Sequence, residues 1–177
     1  DVAPDSSFST VFGTELERLG AEDPNLCAIT AAMKYGTGLQ YFYRSYKDRF
    51  FDVGMAEQHA VTFAAGLAKA GMHPVVSIYS TFLQRSYDQL IHDVSLLQLN
   101  VLVAVDRAGF VPGDGETHQG IYDAAYLSQI AGMRVVSPCN YAELTHWLRV
   151  LVRQDGPRAL RYPRGAECAD LSAVPCT

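Results

Sequence analysis

The sequence has few of the features that would send it toward a membrane, a nucleic acid or a disulfide scaffold. Its four cysteines, Cys27, Cys139, Cys168 and Cys176, are scattered with no CxxC pair among them. That spacing is neither a zinc pattern nor the framework of a small secreted domain, and it fits a reducing cytoplasm. No apolar run approaches the roughly 18 residues a membrane span requires, and no stretch reads as a signal peptide. Positive charge is in the minority: 14 Lys and Arg against 19 Asp and Glu give a net charge of −5, which argues against nucleic-acid or anionic-membrane partners. Repeats and low-complexity tracts are missing too.

What remains is a globular composition, 49% hydrophobic and 19% charged over 177 residues, enough for one domain with a real core. There is no initiator Met. Residues 1–7 and 167–177 both read as linkers, with the domain proper expected over 8–166. The expectation is a piece of a longer protein, with 167–177 beginning the connection to a missing C-terminal domain.

The pattern along the chain is alternation. Phe8, Val11, Phe12, Leu16 and Leu19 fall at helical spacing behind a Ser cap, with Gly20 as the expected terminator. Short strands are predicted at 26–30, 50–53, 74–79, 101–105, 133–136 and 158–162. Helices are predicted at about 56–70, closed by Gly71 and Pro74, at 82–97, up to Ile130, and at 141–153 behind Asn140. A loop is expected from Arg107 to about Gly120. Alternating strands and helices imply a three-layer α/β/α domain with a mostly parallel sheet of about six strands. Ligands of such sheets sit beyond the carboxyl ends of the strands. Glu57, Tyr79, Phe82, Arg107 and Arg164 all follow strands, so the fold class gathers them on one edge.

Four segments carry candidate chemistry. Phe51-Asp52-Val53-Gly54-Met55-Ala56-Glu57-Gln58-His59-Ala60 puts an acid at the start of an apolar helix. Glu57 either complements the helix dipole or is a buried acid that shares a proton with a ring nitrogen, burial raising a carboxyl's affinity for its proton. Tyr79-Ser80-Thr81-Phe82-Leu83-Gln84-Arg85 reads on its own as a strand-to-helix turn with core aromatics. Asp106-Arg107-Ala108-Gly109 followed by Gly113-Asp114-Gly115-Glu116-Thr117-His118-Gln119-Gly120 is a glycine-rich loop, common in itself. Arg161-Tyr162-Pro163-Arg164-Gly165 reads on its own as a strand end with solvated arginines. A guanidinium fork suits a phosphate dianion.

Taken together, these segments resemble the thiamine diphosphate superfamily that includes transketolase. The run Ala-Glu-Gln-His-Ala-Val-Thr-Phe-Ala-Ala-Gly, with the Thr-His-Gln-Gly and Arg-Tyr-Pro-Arg-Gly segments, is similar to the 1-deoxy-D-xylulose-5-phosphate synthases in particular. The resemblance runs from about Ser7 to Gly165. Ala31 stands where that family commonly has proline, and Pro112 and Glu116 vary the loop around Asp114. The implied fold is the pyrimidine-binding domain of the superfamily. The implied roles are Glu57 at N1′ of the aminopyrimidine, promoting the tautomer that removes the thiazolium C2 proton, and Phe82 stacked on that ring. Tyr79 and Arg85 would lie at the cofactor pocket, with Tyr79 also near the substrate phosphate. Arg107 and Arg164 would grip that phosphate, while Asp114 and His118 orient substrate and relay protons. Arg161 is expected to be structural.

The implied reaction condenses pyruvate with D-glyceraldehyde 3-phosphate to 1-deoxy-D-xylulose 5-phosphate and CO2, feeding isoprenoid, thiamine and pyridoxal synthesis. A homodimer is the implied assembly. The superfamily holds the diphosphate and its Mg2+ with a Gly-Asp-Gly motif and a later Asn in a separate domain. Gly113-Asp114-Gly115 lacks that continuation and reads as a substrate loop, so no metal ligand is expected in this chain, and the fragment is expected to be inactive alone. Two alternatives stay open: the equivalent domain of a transketolase or 2-oxo acid dehydrogenase, and a non-catalytic descendant that serves as a binding module.

Overall fold

The computed structural model describes residues 6–175; most of the expected N-terminal linker and Cys176 lie outside them. Six strands form one sheet in the order β2-β1-β3-β4-β6-β5, and every neighbouring pair is parallel. The strands are β1 (Leu26–Thr30), β2 (Phe50–Asp52), β3 (His73–Tyr79), β4 (Leu102–Asp106), β5 (Arg134–Val136) and β6 (Arg158–Arg161). β1 and β4 are buried along their whole length, as continuous apolar runs in a sheet covered on both faces should be.

The helices divide between the two faces. On one lie α1 (Phe8–Glu22), α2 (Gln40–Ser45) and α7 (Tyr141–Leu151), packing Phe12, Leu16, Phe42, Leu144 and Leu148 against Ala28, Ala104 and Leu160. On the other lie α3 (Glu57–Lys69), the helical stretch from Ser80 to Ser95, and α6 (Asp123–Ser128). These set Ala60, Val61, Ala64, Leu90, Val94 and Leu127 against Ile29, Val76, Val103 and Ala159. The expected three-layer α/β/α architecture is therefore present, with the carboxyl ends of all six strands on one edge.

Local chemistry explains the caps. Ser7 accepts a hydrogen bond from the Thr10 amide at the start of α1, and Asn140 accepts one from Glu143 at the start of α7. These side chains satisfy amides that have no partner within the helix. Ser7 thus belongs to the domain. Residues 167–174 also pack on it: the Glu167 carboxylate accepts from the Tyr141 amide, and the Asn140 amide group donates to the carbonyls of Leu171 and Val174.

Three sequence expectations differ from the structure. Gly20 does not end α1, which runs on to Glu22. The glycine instead lets the rings of Phe42 and Tyr46 come close, since a Cβ there would lie 2.5 Å from the Tyr46 ring. The short helix α2 was not expected at all. The continuous helix predicted over 82–97 is a succession of pitches: α4 (Ser80–Leu83), a 3-10 turn over Gln84–Ser86, α5 (Tyr87–Gln89) and a π turn over Leu90–Ser95. Tightening and then widening the pitch keeps Leu83, Leu90 and Val94 buried while Phe82 and Arg85 stay at the sheet edge.

Candidate active site

The carboxyl edge of the sheet carries one continuous chain of polar and aromatic contacts. Glu57 opens α3 with its side chain 5% exposed, and Arg85 donates to its Oε1 at 2.8 Å. Arg85 lies over the Phe82 ring at 5.2 Å. Phe82 stacks on Tyr79 with centroids 5.8 Å apart, and Arg107 sits 3.8 Å above the Tyr79 ring. Arg107 then donates to Asp114 Oδ2 at 2.5 Å, and Arg164 donates to Oδ1 of the same carboxylate. His118 joins from the side, edge-on to Phe82 at 5.4 Å. All eight candidate site residues belong to this network of contacts, although they come from four separate segments.

Glu57 is buried, and its neighbour is a cation, Arg85. Among the described residues its second oxygen takes no hydrogen bond, so it remains a free acceptor. Its position depends on the turn before α3. The Asp52 carboxylate accepts from the amides of Gly54 at 3.0 Å and Ala32 at 2.8 Å, and both of those residues have positive φ. Asp52 was quoted in the sequence motif without a role; here it ties two adjacent loop turns together below Glu57.

The loop from Arg107 to Gly120 is held in several places. The amide and carbonyl of Gly109 pair with those of Gly120 at 2.7 and 2.8 Å, and a Cβ on Gly120 would lie 2.2 Å from the Arg107 carbonyl. Gln119 accepts from the Val111 amide and donates to the Gly115 carbonyl. Thr81 at the start of α4 donates to the Thr117 carbonyl at 3.0 Å, which brings His118 against Phe82. Arg107 itself has φ 58°, a conformation that costs a non-glycine residue energy and is often found at functional sites. Across the edge, Gly36 approaches Tyr79 so closely that a Cβ would lie 1.6 Å from the phenol oxygen. Burial, with Asp106 and Asp114 nearby, pushes the Tyr79 phenol up, against the opposing pull of Arg107.

A cleft of about 200 Å³ opens beside the arginines, with Ser9, Thr10, Gly36, Gln40, Arg107 and Arg164 in its wall. Tyr35, Met55, Phe110 and Tyr122 are large apolar side chains left mostly exposed. Arg161 faces away from this chemistry. Its guanidinium forks onto the buried Asp123 at 2.8 and 3.2 Å and fixes α6, as expected of a structural arginine. Among the described residues, no group of three or more His, Cys, Asp or Glu is placed to hold a metal ion, and no helix is long and apolar enough to cross a membrane.

The sequence is 60% identical over 159 residues to a 1-deoxy-D-xylulose-5-phosphate synthase of Symbiobacterium thermophilum, covering 90% of this chain and 24% of that protein. It is 56% identical over 169 residues to the synthase of Clostridium kluyveri, covering 96% of this chain and 27% of that one. The chain thus spans about a quarter of the length of the curated relatives it matches. Among solved structures, a split-gene transketolase, described as an inactive beta4 tetramer, superposes with a TM-score of 0.80 at 28% identity, covering 91% of this chain and 53% of that one. A transketolase from Campylobacter jejuni superposes at 0.82 with 14% identity, covering 94% of this chain and 27% of that one, and supports the fold alone. The family model described as the transketolase pyrimidine-binding domain matches residues 5–168, so the chain belongs to the transketolase pyrimidine-binding domain family.

Proposed function

We propose that this chain is the pyrimidine-side domain of a thiamine diphosphate-dependent transferase that condenses pyruvate with D-glyceraldehyde 3-phosphate to 1-deoxy-D-xylulose 5-phosphate and CO2. The observation that carries the reading is the single contact chain from the buried Glu57 carboxylate to the Arg107–Asp114–Arg164 cluster. One end suits a protonated ring nitrogen and the other suits a phosphate, with an aromatic platform between them. When bound, the cofactor would supply the electron sink for loss of CO2 and transfer of a two-carbon unit.

The chain's own residues fit the aminopyrimidine half of that cofactor. Glu57 would offer its unpaired oxygen to N1′ in a water-poor position, where such a hydrogen bond is strong. Phe82 and Tyr79 give a flat apolar surface for the ring, and Arg85 steadies Glu57 from the opposite side. Asp114 and His118 lie next to that surface, placed to orient an acceptor hydroxyl and move a proton. Arg107 and Arg164 converge on one carboxylate, and two guanidiniums aimed at one point also suit a phosphate dianion. The diphosphate and Mg2+ fall to a domain outside this chain, so the fragment alone is inactive in this reading. A homodimer in the cytoplasm is the matching setting.

Kinetics of the full-length protein with two aldehydes test the reading. A charge-assisted contact contributes on the order of 1.5–3 kcal/mol. Arg164→Ala, and separately Arg107→Ala, should therefore lower kcat/KM for glyceraldehyde 3-phosphate about 10- to 100-fold. Unphosphorylated glyceraldehyde should be used about as well as by wild type. Equal losses on both aldehydes would withdraw the phosphate assignment.

A further inference from the structure

Beneath the arginine pair lies a buried acid that no step above uses. Asp106 is the last residue of β4 and is fully buried. Its Oδ2 accepts a 2.7 Å hydrogen bond from the Ser9 hydroxyl in the first turn of α1, while Oδ1 is buried with no partner. Arg107 is the next residue, in the positive-φ turn that follows β4. The groups that face it come from every element around it. Arg107 follows β4, Arg164 follows β6 and Ser9 comes from α1; Tyr79 ends β3 and Tyr162 follows the last residue of β6. Asp114 contacts the arginines from the loop. Two guanidiniums are thus balanced by two carboxylates, one on the loop and one inside the fold.

We infer that Asp106 is a positioning residue for the Arg107–Arg164 pair, a buried counter-charge that sets how strongly the pair holds an incoming anion. The inference rests on the phosphate reading of those arginines. The Asp114 carboxylate is partly exposed on a loop; Asp106 is enclosed, so its charge is removed only by a proton. Burial pushes its carboxyl up to about 7, against the Ser9 hydrogen bond and the arginine charges. Ionised, it opposes a second anion across the arginines. Protonated, it leaves their full field to the ligand. Anion affinity at the pair therefore rises as pH falls through neutrality.

Inorganic sulfate is a suitable probe in the full-length protein because it does not itself titrate near neutrality. Its inhibition constant against glyceraldehyde 3-phosphate should fall about 5- to 10-fold between about pH 8 and pH 6 in wild type. In Asp106→Asn the constant should be nearly flat and close to the wild-type value at low pH. Ser9→Ala removes a bond that favours the ionised form, so it should move the midpoint of the wild-type profile to higher pH. An Asp106→Asn protein that keeps the wild-type pH dependence would overturn the inference while leaving the phosphate site standing. If Asp106→Asn does not fold, an unmoved midpoint in Ser9→Ala has the same force. Sulfate that does not compete, or that binds Arg164→Ala as tightly as wild type, would overturn the phosphate reading and this inference with it.

Discussion

At the Glu57 end of the site the working groups stand on regular structure. Glu57 opens a 13-residue helix, and Tyr79 closes a seven-residue strand in the middle of the sheet. At the Arg107 end they stand on a loop held by a two-glycine bridge, by Gln119 and by one shared carboxylate. The first end has one acid with one cation, and packing fixes the acid. The second has two cations on one acid, an arrangement that in the proposed reading would also take another anion. The contrast matches two tasks: a proton-sharing contact needs a fixed acid, whereas a phosphate grip has to accept and release its ligand.

Glu57→Ala should give the largest effect and separate the two ends most sharply. Positioned acid–base groups contribute on the order of 10²–10⁴-fold, so kcat of the full-length protein should fall by that much on both aldehydes. The arginine variants should instead discriminate between the aldehydes. A Glu57→Ala loss confined to the phosphorylated aldehyde would erase the contrast.

Asp106→Asn should follow, read as stability against pH in urea unfolding of the chain. The folded carboxyl is raised from 3.8 to about 7, so the folded state binds the proton more tightly than the unfolded chain. Below about pH 4 both states are protonated and the group contributes no difference. As pH rises from about 4 to about 7, ionisation costs the folded state increasingly, and the cost is constant above that range. Relative to wild type, the variant should therefore gain about 2–4 kcal/mol between pH 4 and pH 8, on top of any pH-independent offset. A difference that stays constant with pH would mean that the carboxyl is not held as the structure implies.

Arg85→Ala should have the smallest effect. The guanidinium is more than half exposed, so solvent screens the pair, and about 1 kcal/mol of stability should be lost. Urea unfolding of the chain measures it. A loss above about 3 kcal/mol, the scale for breaking a buried pair, would show that Glu57 depends on Arg85 far more than its other packing suggests.

The same contrast bears on what the sequence discloses. At the Glu57 end the apolar strand, turn and apolar helix were legible and left one acid standing out, while its candidate role came from the family resemblance. The central strands β1, β3, β4 and β6 were legible because their buried positions are mostly Val, Ile, Leu and Ala. The pitch changes between Ser80 and Ser95 were not, because Leu83, Leu90 and Val94 fit one continuous helix equally well on paper. Gly20 read as a stop because a glycine near a helix end usually is one, and the rings that need the space lie more than twenty residues away. In the sequence Asp106 was quoted only as the first residue of the Arg107 loop segment, with no role of its own. Its meaning comes from Ser9, 97 positions earlier in the chain, and no local pattern carries that pairing.

The central claim is that Glu57 activates a bound cofactor through a ring nitrogen. Exchange of the cofactor's C2 proton with deuterated solvent, followed by NMR after acid quench of the full-length protein, tests it most directly. Wild type should exchange quickly, and Glu57→Gln, with the same shape and no acid, should exchange about 10²–10⁴ times more slowly. Exchange at the wild-type rate in Glu57→Gln would contradict the account and leave Glu57 as a residue that complements the α3 dipole.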